Sequence, residues 1–314
     1  MARLIDGLKG HEGLWQRLQD LRHLERLPHA MAFTGPSGVG KRLMAWALAQ
    51  ALLCERREQA PCGLCGACRR VSSRQSEGVL AIEPGAVGAP IKIEAAYQVL
   101  EFLSLSRLSL ARIVIVNEAQ ALNLQAANSL LKVVEEPPPA THFIFVVPEI
   151  SQLLPTLRSR CQVLRFAPLS DVDLQQDGVV TEPWVLRSAR GSFERLEMFK
   201  SEDSGRPREM AFEFLTGAIE GDPQVLQQTV EKSRDRETVL ELIRFLQQAL
   251  RDWVVLDTDA VLHADRRSDL KALPAFDPAQ KVELWRKALQ MEHDVLSNVD
   301  RGLVIENFFY QARR

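Results

Sequence analysis

The sequence predicts an α/β domain built on a parallel sheet, followed by a chain that is helical to its end. The first observation behind this is Thr34-Gly35-Pro36-Ser37-Gly38-Val39-Gly40-Lys41-Arg42. It sits between an apolar run, Ala30-Met31-Ala32-Phe33, and a helical pattern, Leu43-Met44-Ala45-Trp46-Ala47-Leu48. Strand, glycine-rich turn, lysine, helix is the layout of the phosphate loop G-x-x-x-x-G-K-[ST]. The second observation is a pair of apolar runs, Arg112-Ile113-Val114-Ile115-Val116 and His142-Phe143-Ile144-Phe145-Val146-Val147, which read as strands buried on both faces. The third is a change of texture at Pro168, after which strand-like alternation disappears.

At 314 residues the chain is expected to hold two or three domains. Hydrophobic residues make up 46% and charged residues 25%, an ordinary globular composition. Lys plus Arg is 39 against 41 Asp plus Glu, a net charge of −2, which argues against a protein that coats nucleic acid along its whole surface. No apolar run approaches the roughly 20 residues of a membrane span, and the N-terminus has no signal-peptide pattern. The expected location is the cytoplasm, with no membrane partner.

In chain order, Leu14, Leu18 and Leu21, with Trp15 and Leu24 alongside, predict an amphipathic helix leading into Leu27-Pro28-His29-Ala30. The helix after the phosphate loop should run to about Leu53, with Leu43, Ala47, Leu48, Ala51 and Leu52 as its buried stripe. Four of the five cysteines follow within fifteen residues: Cys54, Cys62, Cys65 and Cys68. Cytosolic thiols stay reduced, so the cluster points to metal rather than disulfides. Overlapping Cys-x-x-Cys turns present sulfurs to one tetrahedral ion, which suggests a closed, structural zinc site; an iron–sulfur cluster is the other metal-bound reading.

Residues 78–92 read as a loop or a short strand at Val79-Leu80-Ala81-Ile82. A helix is expected from Ile93 to Leu105, with Ala96, Leu100 and Leu103 on one face, and another from Leu122 to Glu136, stopped by Pro137-Pro138-Pro139. A helical turn at 153–161 should precede a strand at 162–166. Beyond a polar, acidic stretch at 170–182, Trp184-Val185-Leu186 begins a helical segment that carries Gly191, Ser192 and Arg195. A linker is expected at Ser201–Pro207, then long helices near 208–219, 223–233, 236–256 and 280–312, with 257–277 mostly loop. Leu240, Ile243, Phe245, Leu246 and Leu250 mark one buried stripe.

The phosphate loop departs from the pattern of an active ATPase. Gly35, Gly38 and Gly40 let backbone N–H groups curl round an anion, the helix N-terminus adds partial positive charge, and Lys41 would reach the outer phosphates. The Mg²⁺-holding hydroxyl, however, is replaced by Arg42. The acidic pair expected after the second strand is Asn117-Glu118, so a second metal ligand is a neutral amide. Val147-Pro148 offers nothing polar to sense a γ-phosphate.

Together these residues resemble the clamp-loader branch of the AAA+ ATPases, and within it the delta-prime subunits of bacterial DNA polymerase III. The resemblance rests on Pro28-His29-Ala30, the four-cysteine insert, and Asn128-Ser129-Leu130-Leu131-Lys132-Val133-Val134-Glu135-Glu136-Pro137-Pro138. It extends through Ser159-Arg160-Cys161, then Gly191-Ser192 with Arg195, to Asn298-Val299-Asp300-Arg301-Gly302-Leu303-Val304-Ile305-Glu306. It implies a P-loop AAA+ domain over 1–167 with a zinc module at 54–68, a small helical lid domain over 168–206, and an all-α collar over 207–314. It also implies a hetero-pentamer with delta and tau/gamma subunits that loads a sliding clamp onto primer-template DNA at the replisome. Arg160 would be an arginine finger acting on the neighbouring subunit's ATP, because a permanently charged planar guanidinium stabilises a transferring phosphoryl group. Gly35, Gly38, Gly40, Lys41, Arg42, Asn117, Glu118 and Arg195 would form a degenerate nucleotide site, weak or empty for ATP and ADP. The expectation is a subunit without ATPase activity of its own. The competing readings are an active ATPase of tau or gamma type, and a zinc-dependent DNA-binding protein suggested by Arg56, Arg57, Arg69, Arg70 and Arg74.

Overall fold

The computed structural model describes residues 3–86, 88–105, 109–175, 182–200, 205–233 and 235–313, and no helix among them is long and apolar enough to cross a membrane. The chain divides into two compact units. One comprises Met1–Asp177 with Arg190–Glu194, the other Gly178–Ala189 with Arg195–Arg314.

The first unit is a five-stranded, wholly parallel sheet. Its strands are β1 (Ala30–Thr34), β2 (Val79–Ile82), β3 (Arg112–Val116), β4 (Thr141–Val147) and β5 (Gln162–Arg165), in the spatial order β2-β3-β4-β1-β5. Its helices are α1 (Glu12–His23), α2 (Lys41–Leu53), α3 (Gly66–Ser72), α4 (Ile93–Ser104), α5 (Leu124–Glu135), α6 (Pro155–Arg158) and α7 (Asp171–Gln175). The inner strands β1, β3 and β4 read as largely apolar runs because both faces are covered. Ala30, Ala32, Val114, Val116, Phe143 and Phe145 pack with α4 and α5, while Met31, Phe33, Ile113, Ile115 and Ile144 pack with α1 and α2. Alternate residues of one strand thus serve two cores.

Two expected stripes are shifted. On α2 nearly the whole circumference is buried, including Met44, Ala45, Trp46 and Gln50, while Leu43 and Leu52 are only half-buried. The helix is covered on more than one side, so a single stripe underdescribes it. On α4, Ala96, Val99 and Leu103 are buried and Leu100 is exposed, because the covered face follows the i, i+3, i+7 row. The helix expected from Leu122 begins at Leu124, where the Asn123 side chain accepts from the Ala126 N–H and caps it.

The helices of the second unit, among the described residues, are α8 (Pro183–Ala189), α9 (Phe193–Lys200, from Arg195 onward), α10 (Gly205–Glu220), α11 (Pro223–Lys232), α12 (Arg236–Val254), α13 (Arg267–Ala272), α14 (Pro278–Leu296) and α15 (Arg301–Gln311). Val239, Leu242, Ile243, Phe245, Leu246, Ala249, Leu250 and Trp253 line the buried side of α12, with Leu240 only half-buried. The expected linker at 201–207 lies partly outside the described residues, and its last three residues begin α10. Residues 176–181 of the acidic stretch also lie outside them. The loop expected at 257–277 contains α13. The single helix expected over 280–312 is two. Asn298 takes a left-handed φ of 64° and ends α14, and the Asp300 carboxylate caps α15 by accepting from the Leu303 N–H at 3.0 Å.

Candidate functional site

Parallel strands place all their C-terminal ends on one edge, and there the loops after β1, β2, β3 and β4 meet. A cavity of about 640 Å³ opens on that edge, lined by Ser37–Leu43, Asn117, Glu118, Gln120, Pro148 and residues of the Arg190–Glu194 segment. The phosphate-loop glycines are required by close approach. Gly35 has φ +149° and any Cβ on it would strike the Phe166 carbonyl; Gly38 has φ +74° and faces Ser192. Gly40, at φ +95°, begins α2.

Lys41 is buried, and its Nζ donates to the Gly35 and Pro36 carbonyls at 2.5 Å each. The loop lysine therefore satisfies the loop's own backbone. Desolvation lowers its pKa from 10.5 to about 8, with the Glu194 charge pulling the other way. Arg42 forms an exposed ion pair with Glu83, just past β2, at 2.9 Å. Asn117 lines the cavity and its N–H donates to the Ile82 carbonyl, while Glu118 beside it takes φ 50°. The Pro148 carbonyl is consumed by the Gly35 N–H at 3.0 Å. Gln120 carries a buried Oε1 acceptor with no hydrogen-bond partner among the described residues. Arg195 lies on α9 and belongs to the second unit; the neighbouring residue that lines the cavity is Glu194.

Arg160 occupies the opposite edge of the sheet. It precedes Gln162, whose strand partner is Met31 near the start of β1. Its Nε and Nη2 donate to Glu135 Oε2 at 3.3 and 3.1 Å, and its Nη1 donates to the Thr156 carbonyl at 2.9 Å. Strand β5 rises about 13 Å between this edge and the cavity edge.

The four cysteines converge between α2 and α3. Their sulfurs all lie within 4.8 Å of one another, and Cys62 Sγ is 3.9 Å from Cys68 Sγ. A tetrahedral ion with bonds of about 2.3 Å needs sulfurs about 3.8 Å apart, so the set fits. Cys54 ends α2, and Cys65 caps α3 as it accepts from the Cys68 N–H. Backbone N–H groups also point at Cys54 and Cys62. Those from Cys65 and Leu64 pull the Cys62 thiol down to about 6, while burial pushes Cys54 and Cys68 up. Buried Gln50 fastens the module: its Nε2 donates to Cys68 O and Ser72 Oγ, and its Oε1 accepts from the Leu4 N–H. Arg56, Arg57, Arg69, Arg70 and Arg74 around it are exposed, and Arg74 stacks on Trp46 at 3.7 Å.

Glu83, Glu135, Gln120 and Glu194 were not singled out from sequence. Their roles depend on which loops and helix ends meet at a sheet edge, and strand order carries that information.

The family model described as DNA polymerase III, delta subunit, matches residues 10–170, just over half of the chain. A delta-prime subunit of DNA polymerase III from Pseudomonas aeruginosa is 34% identical over 154 residues, covering 48% of this chain and 45% of that one. A delta-prime subunit from Bacillus subtilis is 36% identical over 147 residues, covering 46% and 44%. The matches thus span less than half the length of these relatives. Among solved structures, a DNA polymerase III gamma subunit-related protein from Thermotoga maritima aligns with TM-score 0.56 and 17% identity over 94% of this chain and 98% of that one, a likeness of fold.

Proposed function

Because this chain belongs to the DNA polymerase III delta subunit family, we propose that it is a delta-prime-type clamp-loader subunit that does not hydrolyse ATP itself. It helps to load the sliding clamp onto primed DNA in the bacterial cytoplasm, within a hetero-pentamer containing delta and tau/gamma subunits, and donates Arg160 to a neighbour's ATP. In this reading residues 1–167 form the AAA+ domain, 168–206 the lid and 207–314 the collar.

The observation that carries the reading is the placement of Arg160 and the cavity on opposite edges of one sheet. A guanidinium about 13 Å of strand away from its own phosphate loop acts on phosphate only in another subunit. The cavity supports the other half of the reading. The residues that would hold Mg²⁺ are Arg42, engaged with Glu83, and the amide Asn117. The four cysteines, in the same reading, hold a structural zinc ion that closes the loop between α2 and α3.

Arg160→Ala in a reconstituted clamp loader tests this. Slowed ATP hydrolysis with intact assembly is expected, and an unchanged rate would remove the finger. The tau/gamma-type alternative draws on the retained glycines, Lys41 and Glu118. Mg²⁺-dependent turnover by the isolated chain, lost in Lys41→Ala, would favour it.

A further inference from the structure

The Arg190–Glu194 segment is fastened at two points of the first unit. The Leu169 N–H donates to the Gly191 carbonyl at 3.0 Å, and the Phe193 N–H donates to the Gly38 carbonyl at 2.9 Å. Ser192 packs on the Gly38 Cα, where no Cβ would fit. The tip of the phosphate loop and this segment are therefore one rigid wall, and Glu194 projects from it into the cavity lining. Its carboxylate makes no ion pair or side-chain hydrogen bond among the described residues. A second carboxylate, Glu118, and the unpartnered Gln120 Oε1 line the same cavity. On the cationic side, Lys9 lines the cavity as well, Lys41 is turned back onto two loop carbonyls, and Arg42 is paired with Glu83.

We propose that Glu194 is the specificity-determining residue that keeps phosphate groups out of this cradle. The proposal rests on reading the cavity as a pocket that does not hydrolyse ATP, and supplies an electrostatic reason for it. A polyphosphate arriving without Mg²⁺ brings several negative charges beside the Glu194 carboxylate, and like charges at close range disfavour binding. The missing metal ligands explain why hydrolysis fails. Glu194 explains why the ground-state complex is also weak, although the glycines and Lys41 of a phosphate-binding loop are retained. It acts as a built-in anion that competes for the loop.

The test is calorimetric titration of the full-length chain with pyrophosphate and with ATP, each in EDTA and in Mg²⁺. Glu194 is exposed, so Glu194→Gln and Glu194→Arg should fold as the parent does. The expected result is an affinity gain of roughly tenfold or more for Glu194→Gln in EDTA, larger for Glu194→Arg, and abolished by adding Lys41→Ala. Equal or undetectable affinities in the parent and both variants would overturn the proposal. So would a gain that survives Lys41→Ala, since it would lie outside the loop. Failure of this kind leaves the non-hydrolysing reading intact, because Arg42 and Asn117 still lack metal-binding oxygens. Turnover by the unmodified chain would instead overturn both.

Discussion

Arg160 and Glu135 share one carboxylate oxygen: Nε at 3.3 Å and Nη2 at 3.1 Å both reach Glu135 Oε2. The pair joins the end of α5 to the turn before β5, at the edge of the sheet remote from the phosphate loop. It is partly exposed, with the Arg160 side chain 32% and the Glu135 side chain 58% accessible, so it contributes at most about 1 kcal/mol to stability. On the proposed reading the pair aims a guanidinium, and mutants should then separate function from folding.

Arg160→Ala should therefore shift the melting temperature by no more than a few degrees, yet slow ATP hydrolysis at the neighbouring subunit's site in a reconstituted clamp loader roughly 10³-fold or more. Glu135→Ala should give a smaller loss, and the double variant should be no slower than Arg160→Ala alone. Independent, additive losses would mean that Glu135 does not act through Arg160.

Elemental analysis of the purified chain should find about one zinc per molecule. Cys54→Ser or Cys68→Ser should lose it, and a strong chelator should lower the melting temperature of the parent but not of these variants. Iron in place of zinc would refute the assignment.

Gln50→Leu removes three hydrogen bonds at a fully buried position and takes a side-chain partner from each of the Leu4 N–H, the Cys68 carbonyl and the Ser72 hydroxyl. The expected cost is about 1–3 kcal/mol by denaturant melts, with zinc content retained. Retention of parent stability would show that these groups find water instead.

In the second unit His263 is fully buried, accepts from Arg208 Nε at Nδ1, and so donates from Nε2 to Gln248 Oε1. Burial, reinforced by the Arg208 charge, lowers its pKa from 6.5 to about 3. The unfolded chain takes up a proton between pH 6.5 and about 3 that the folded chain refuses, so stability falls as pH drops through that window. The slope should approach but not exceed about 1.4 kcal/mol per pH unit. Urea melts at several pH values measure it, and His263→Gln should flatten that component.

Lys41 titrates in the same sense across a higher window. Folded, it releases its proton near 8, against 10.5 when unfolded. Stability should therefore rise between about pH 8 and 10.5, while affinity for pyrophosphate, which needs the ammonium, should fall over the same range. Titrating Glu194→Gln at pH 7 and pH 9.5 checks the affinity; an unchanged value would place the bound anion away from Lys41.

What the sequence determined by itself was local and periodic. The phosphate loop, the buried strands, the cysteine cluster and most helices of the second half follow from spacing over a few residues, because turns, strands and metal turns are set by neighbouring side chains. The departures of Arg42 and Asn117 from the motif were also legible, since they stand where it places a hydroxyl and a carboxylate. Tertiary structure alone decided which residues meet. Strand order β2-β3-β4-β1-β5 brings Glu83 to Arg42, the return of α5 brings Glu135 to Arg160, and Leu169 and Gly38 hold Glu194 over the phosphate loop. These pairs are separated by 25 to 156 residues along the chain, beyond any periodicity, and the parallel sheet places them by sending all its strand ends to two opposite edges.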